Sequence, residues 1–175
     1  MSERIPIMYN RVLRPEWIDF ALDNYLRATD EATFRKILIE HLQPQIIGVD
    51  ALRKTVGLLQ VIVGFKSTVP RTRLSAIHCE MMALSPDKRA DLRLQLLTEA
   101  SPFVADCLEA MKRLAILGVD GVEIKHIYDR LSSRYGDRST VYRCVRYVLQ
   151  TLAFFGVVEN RDKQWFLTEL PTTMT

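Results

Sequence analysis

The chain has 175 residues, 48% of them hydrophobic and 26% charged, and a formal net charge of +3. That length suits one medium domain or two small ones with a buried core, and the composition is that of a folded chain rather than a disordered one. So small a net charge says little about partners by itself; the placement of the cations says more.

Residues 1–13 read as an extended lead-in, and residues 1–6 lack the basic-then-apolar pattern of a signal peptide. Pro15 is suited to open a helix over residues 15–28, with Trp17, Phe20, Ala21 and Leu22 or Tyr25 turned inward. Asp30 offers a cap for a second helix, where Phe34, Ile37, Leu38 and Leu42 recur at helical spacing before Pro44 stops it. Asp50 is expected to cap a third helix over residues 51–65, apolar nearly all round and hence the buried centre of this half. Its Gly57 and Gly64 are read as points of close packing. A fourth helix after Pro70 carries Leu74, Ile77, His78 and Met81. Ser85-Pro86 and Ser101-Pro102 repeat one start signal, predicting helices over residues 86–99 and 102–117, the latter stopped by Gly118. The most apolar run, residues 56–65, falls well short of the roughly 20 needed to cross a bilayer. A cytoplasmic chain with no membrane partner is expected.

Residues 121–167 change character. Two amphipathic helices over residues 122–131 and 139–155 are followed by a hairpin over residues 157–167, the order of a winged helix-turn-helix whose second helix enters the DNA major groove. The fold predicted is therefore mainly α: a helical N-terminal region over residues 1–100, then a winged-helix domain over residues 101–175. No flexible linker separates them, and the helix from Pro102 serves as hinge and first winged-domain helix.

In the second of those helices Val141, Val145, Val148, Leu149 and Leu152 form an apolar stripe. The opposite side carries Ser139, Tyr142, Arg143, Arg146 and Gln150, groups that phosphates and base edges accept. Arg138 precedes the helix, and Ser139 and Thr140 place hydroxyls and free N–H groups at its start. No acidic residue occurs from Arg138 to Val158, and residues 111–165 hold ten Lys and Arg against six Asp and Glu. The alternative is a solvated helix face with scattered charge. At the wing tip, Arg161 and Lys163 could touch phosphate or the minor groove, although turn chemistry alone accounts for residues 160–163. Arg71, Arg73, Lys88, Arg89 and Arg93 form a second basic group, read as solvated surface or else as an extension of a backbone-tracking path.

Catalysis has little support. His41, His78 and His126 are isolated, and no phosphate-cradling glycine loop occurs. Cys79, Cys107 and Cys144 match neither a disulfide framework nor a CxxC site, and the latter two read as small core residues. No catalytic residue, metal or cofactor is expected.

Short strings along the chain carry a family resemblance. Leu38-Ile39-Glu40-His41-Leu42 precedes Ala51-Leu52-Arg53-Lys54; Leu96-Leu97-Thr98-Glu99-Ala100-Ser101-Pro102-Phe103-Val104-Ala105-Asp106 leads into Arg134-Tyr135-Gly136-Asp137-Arg138-Ser139-Thr140-Val141, then Phe154-Phe155-Gly156-Val157-Val158. The pattern resembles the BrxA family of BREX phage-defence systems, small helical DNA-binding proteins with a winged-helix-like part. The resemblance implies double-stranded DNA as partner, with other defence-system proteins beside it, and transfers no catalytic residue. The residues also admit a protein-interaction adaptor using the winged-helix surface, or a transcriptional regulator, although no dimerisation heptad is evident.

Overall fold

The computed structural model describes residue 7 and residues 9–168. The signal-peptide expectation for residues 1–6 therefore lies outside the described residues. Two units divide the chain, one of residues 13–102 and one of residues 103–175 with residues 1–12.

Five helices build the first unit: α1 (Pro15–Arg27), α2 (Glu31–Leu42), α3 (Val49–Val63), α4 (Arg71–Met82) and α5 (Ala90–Ala100). Their starts largely follow the sequence. Pro15 occupies the first helical position, and the Asp30 carboxylate accepts the Thr33 N–H at 2.8 Å. In α3 the N-cap is Gly48, not Asp50. Asp50 instead sits in the first turn, where an acid suits the helix dipole, and pairs with Arg53 and Lys54 at 2.7 Å each.

A single helix from Pro86 is not formed. Pro86–Lys88 makes one 3₁₀ turn and the α-helix resumes at Ala90. Residues 82–88 are all exposed, so this stretch has no buried side chain to tie a longer helix down.

Helix α3 packs against α1, α2 and α5. Trp17, Ile18, Leu22, Phe34, Leu38, Leu59, Ile62, Leu74, Ile77 and Leu97 are among the buried side chains of this core. Phe20, expected inward, is half-buried and stacks on His41 with ring centroids 3.5 Å apart. A Cβ at Gly64 would lie 2.8 Å from the Phe34 ring, whereas one at Gly57 would meet nothing within 4 Å. Of the two glycines, only Gly64 serves close packing.

Gln60, also in α3, is fully buried, yet neither its amide nitrogen nor its amide oxygen has a partner. A buried amide left unpaired costs about 1–3 kcal/mol. Gln60→Met keeps the length without the polar atoms and should raise stability in urea melts by that order. A lower midpoint for the variant would show that the amide is paired after all.

The second basic group is committed to holding helices together. Arg73 pairs with Glu99 at 2.8 Å, Arg89 and Arg93 converge on Asp19, and Arg71 donates to the Leu26 carbonyl at 2.8 Å while lying over the Tyr25 ring. Only Lys88 of the five makes no such contact among the described residues. The group is neither a freely solvated surface nor an open cationic path.

The second unit contains α6 (Pro102–Ile116), α7 (Ile124–Tyr135), α8 (Ser139–Phe154) and the antiparallel pair β1 (Val158–Arg161) and β2 (Gln164–Leu167). This is the three-helix and hairpin arrangement expected from the sequence. Helices α6 and α8 both end in a Schellman motif. The Gly118 N–H donates to the Ala115 carbonyl and that of Val119 to Leu114; Gly156 and Val157 repeat the pattern on Ala153 and Leu152. Both glycines have positive φ, +81° and +75°, which explains the residue type.

Strand β1 pairs with β2 from Val158↔Leu167 to Arg161↔Gln164. Asp162 and Lys163 close the turn with φ of 50° and 66°, as a two-residue type I′ hairpin requires. Val122, expected to begin the preceding helix, instead bridges Trp165 through two backbone hydrogen bonds of 2.8 and 2.9 Å. Its side chain is buried, so one residue of added sheet serves the core better than another helical residue, and α7 starts at Ile124.

The lead-in also differs from the sequence-based division at residue 100. Tyr9 is fully buried and its hydroxyl donates to Thr151 Oγ1 of α8 at 2.8 Å. Residues 9–12 thus belong with the winged-helix unit. Helix α6 is fixed to α7 by Asp106, which accepts from the Tyr135 hydroxyl at 2.6 Å and from Arg134 at 2.9 Å. Phe103 meets the Tyr135 ring edge-on at 5.0 Å. Burial pushes the Tyr135 phenol pKa up, and its bond to Asp106 adds to the shift.

Candidate nucleic-acid interface

Helix α8 separates its two faces as its periodicity requires. Val141, Cys144, Val145, Val148, Leu149 and Leu152 are buried, while Ser139, Tyr142, Arg143 and Arg146 are exposed. Residues three and four apart are neighbours on a helix surface, so these four form one continuous patch. Arg143 and Arg146 make no hydrogen bond or ion pair among the described residues. Both guanidinium groups therefore keep all five donors for a ligand.

The start of α8 adds to this patch. Its first turn contains no acid, and the N-cap residue, Arg138, makes no side-chain cap. The N–H groups of Ser139 and Thr140 thus lie at a helix end that no acid of its own first turn neutralises. Arg138 itself is half-buried, and its Nε donates to the Tyr135 carbonyl at 3.1 Å. Thr140 is half-buried. Arg138 braces the turn between α7 and α8 in addition to whatever it offers a ligand.

The wing cations behave differently from each other. Arg161 pairs with Glu159 at 2.7 Å and lies over the Phe166 ring, 4.1 Å from its centroid. It stiffens the hairpin, and its charge is already matched. Lys163 is exposed at the turn and lines a groove of about 450 Å³ that runs between the wing, the start of α7 and Tyr142. Glu123, Lys125, Asp162 and Gln164 share that groove.

Lys125 was not singled out in the sequence. It lies in the first turn of α7 and lines the wing groove, a placement that depends on how the hairpin folds against the start of α7. The groove balances Lys125 and Lys163 against Glu123 and Asp162. The excess positive charge lies on the α8 face beside it.

Tyr142 links the two regions. Its ring meets Tyr128 of α7 edge-to-face with centroids 5.8 Å apart, and the Tyr128 hydroxyl donates to Asp137 in the α7–α8 turn. That bond raises the Tyr128 pKa and so keeps the hydroxyl protonated.

Groups that could do chemistry elsewhere are occupied structurally. His126 Nδ1 accepts the Glu123 N–H at 3.2 Å in a capping box, His78 sits 3.3 Å from Asp23, and His41 stacks on Phe20. Burial pushes the Cys107 thiol well up and the Cys144 thiol up, although Arg143 and Arg138 pull Cys144 the other way. Neither thiol is poised as a nucleophile. Among the described residues no cluster of three or more His, Cys, Asp or Glu could hold a metal, and no helix is long and apolar enough to cross a membrane. No protein-family model, curated protein or solved structure matches the chain.

Proposed function

We propose that this chain is a non-enzymatic double-stranded DNA-binding protein, with the exposed face of α8 entering the major groove. The observation that carries the reading is the pair Arg143 and Arg146, both without protein partners, on the second helix of a helix-turn-helix. Ser139, Thr140 and Tyr142 border them, Lys125 and Lys163 contribute at the wing side, and Arg138 and Arg161 shape the flanks. The resemblance to the BrxA family supports a cytoplasmic role as an accessory or regulatory component of a bacterial phage-defence system.

With Arg143, Arg146, Lys125 and Lys163 as phosphate contacts, log K against log salt should fall with a slope near −3.6. Affinity for duplex DNA should then drop about a hundredfold between 50 and 200 mM salt. Replacing Arg143 and Arg146 together by Ala should reduce the slope by about two while leaving stability within about 0.5 kcal/mol. A fluorescence-anisotropy titration at several salt concentrations measures both. Equal affinity and slope in parent and double variant would remove α8 from the interface.

A protein adaptor is the second reading, favoured by Ile116 and Leu117 at the end of α6, which are 84% and 69% exposed. A parent protein that shifts no duplex even at low salt would leave that reading standing alone.

A further inference from the structure

We propose that Tyr142 reads a base edge and supplies sequence discrimination, with Tyr128 as the positioning residue that holds it. This rests on the DNA reading above but makes a separate claim about how the site divides its work.

Three observations lead there. The first is charge. On its wing side Tyr142 faces a groove in which Lys125 and Lys163 are balanced by Glu123 and Asp162, so the net positive charge lies on the α8 face and not in the groove. The unpaired cations, Arg143 and Arg146, lie on the helix face beside it and supply salt-dependent affinity.

The second is an unused hydrogen-bonding group. Tyr142 is 44% exposed, and its hydroxyl makes no hydrogen bond among the described residues. A phenol both donates and accepts, so it suits base-edge patterns that a guanidinium, a donor only, does not.

The third is rigidity. An exposed side chain discriminates between bases only if it is held in one place, because a mobile hydroxyl adapts to either. Tyr142 is held by the edge-to-face contact with Tyr128, and Tyr128 is anchored through its hydroxyl to Asp137. Helix α7, the α7–α8 turn and α8 thereby fix the direction of one phenol. That phenol lies in the first turn of α8, the part a recognition helix carries deepest into the groove.

The test is selection of bound sequences from a randomised duplex pool by the full-length protein, its Tyr142→Phe variant, and Tyr128→Ala and Tyr128→Phe. The parent should enrich a motif. Tyr142→Phe should keep the salt slope but lose about five- to tenfold in affinity for the preferred duplex, and with it the discrimination at one base position, the worth of one hydrogen bond. Tyr128→Ala should blur the same position, and Tyr128→Phe, which keeps the ring contact but loses the Asp137 anchor, should fall between parent and Ala; a merely structural Tyr128 would shift the melting temperature and leave the motif unchanged. An unaltered motif in Tyr142→Phe overturns the inference, as does a parent that binds duplexes without preference. Failure of the parent to bind any duplex at low salt overturns instead the DNA reading beneath it.

Discussion

Tyr9→Ala should destabilise the winged-helix unit by about 3–5 kcal/mol, the usual cost of truncating a buried aromatic. Tyr9 is fully buried, and its hydroxyl donates to the equally buried Thr151 in the middle of α8. The substitution therefore opens a cavity and withdraws a hydrogen-bond donor from the same place. Against a typical domain stability of about 5–15 kcal/mol, that loss is a large fraction of the whole. Tyr9→Phe separates the two contributions: it keeps the ring, loses the hydroxyl, and should cost only about 1 kcal/mol. Native-state hydrogen exchange locates the effect. Amides of α8 should lose protection in Tyr9→Ala while those of α3, in the other unit, keep theirs. Unchanged exchange in α8 would show that the lead-in does not support this unit.

The same residue marks where sequence reading loses its grip. Helices α1, α2 and α6 to α8 were legible because their signals are local: proline at a first turn, an Asp cap at Asp30, a glycine stop at Gly118, and apolar spacing along α8. Residues 9–12 carry no periodicity at all. Their place is set by Tyr9 inserting into a core built more than 90 residues later, a pairing that no local rule encodes. Val122 is a similar case. Its apolar side chain is in phase with the following helix, and only tertiary pairing with Trp165 makes it sheet. The same tertiary pairing forms the groove that Lys125 lines, which the local pattern does not encode. Within the candidate site, exposure was predictable from helical phase, but engagement was not. Arg143 and Arg161 look alike in sequence. One is partnerless on a helix face; the other is matched by Glu159, two residues back on the same face of β1, and by Phe166, which the register sets opposite Glu159.

Asp19→Ala should cost the first unit about 3–5 kcal/mol, through the charges it strands rather than the contact it deletes. Asp19 accepts from Arg93 at both carboxylate oxygens, at 2.8 and 2.7 Å, and from Arg89 at 3.1 Å. The three side chains are only 17%, 11% and 13% exposed, so neither guanidinium can recover full hydration once the carboxylate is gone. Arg89 is further tethered by Nε to the Leu84 carbonyl, which limits its escape to solvent. This ion triad also ties α1 to the start of α5, directly after the exposed stretch of residues 82–88. Asp19→Asn retains one acceptor and the side-chain shape and should fall between parent and Ala. Asp50 provides the contrast: it too pairs with two cations, Arg53 and Lys54, but on an exposed helix surface, and Asp50→Ala should barely move the midpoint. Chemical denaturation of the three variants decides the matter. If Asp19→Ala and Asp50→Ala lost equally little, the convergence of Arg89 and Arg93 would count as surface charge, and the second basic group would again be free for a ligand.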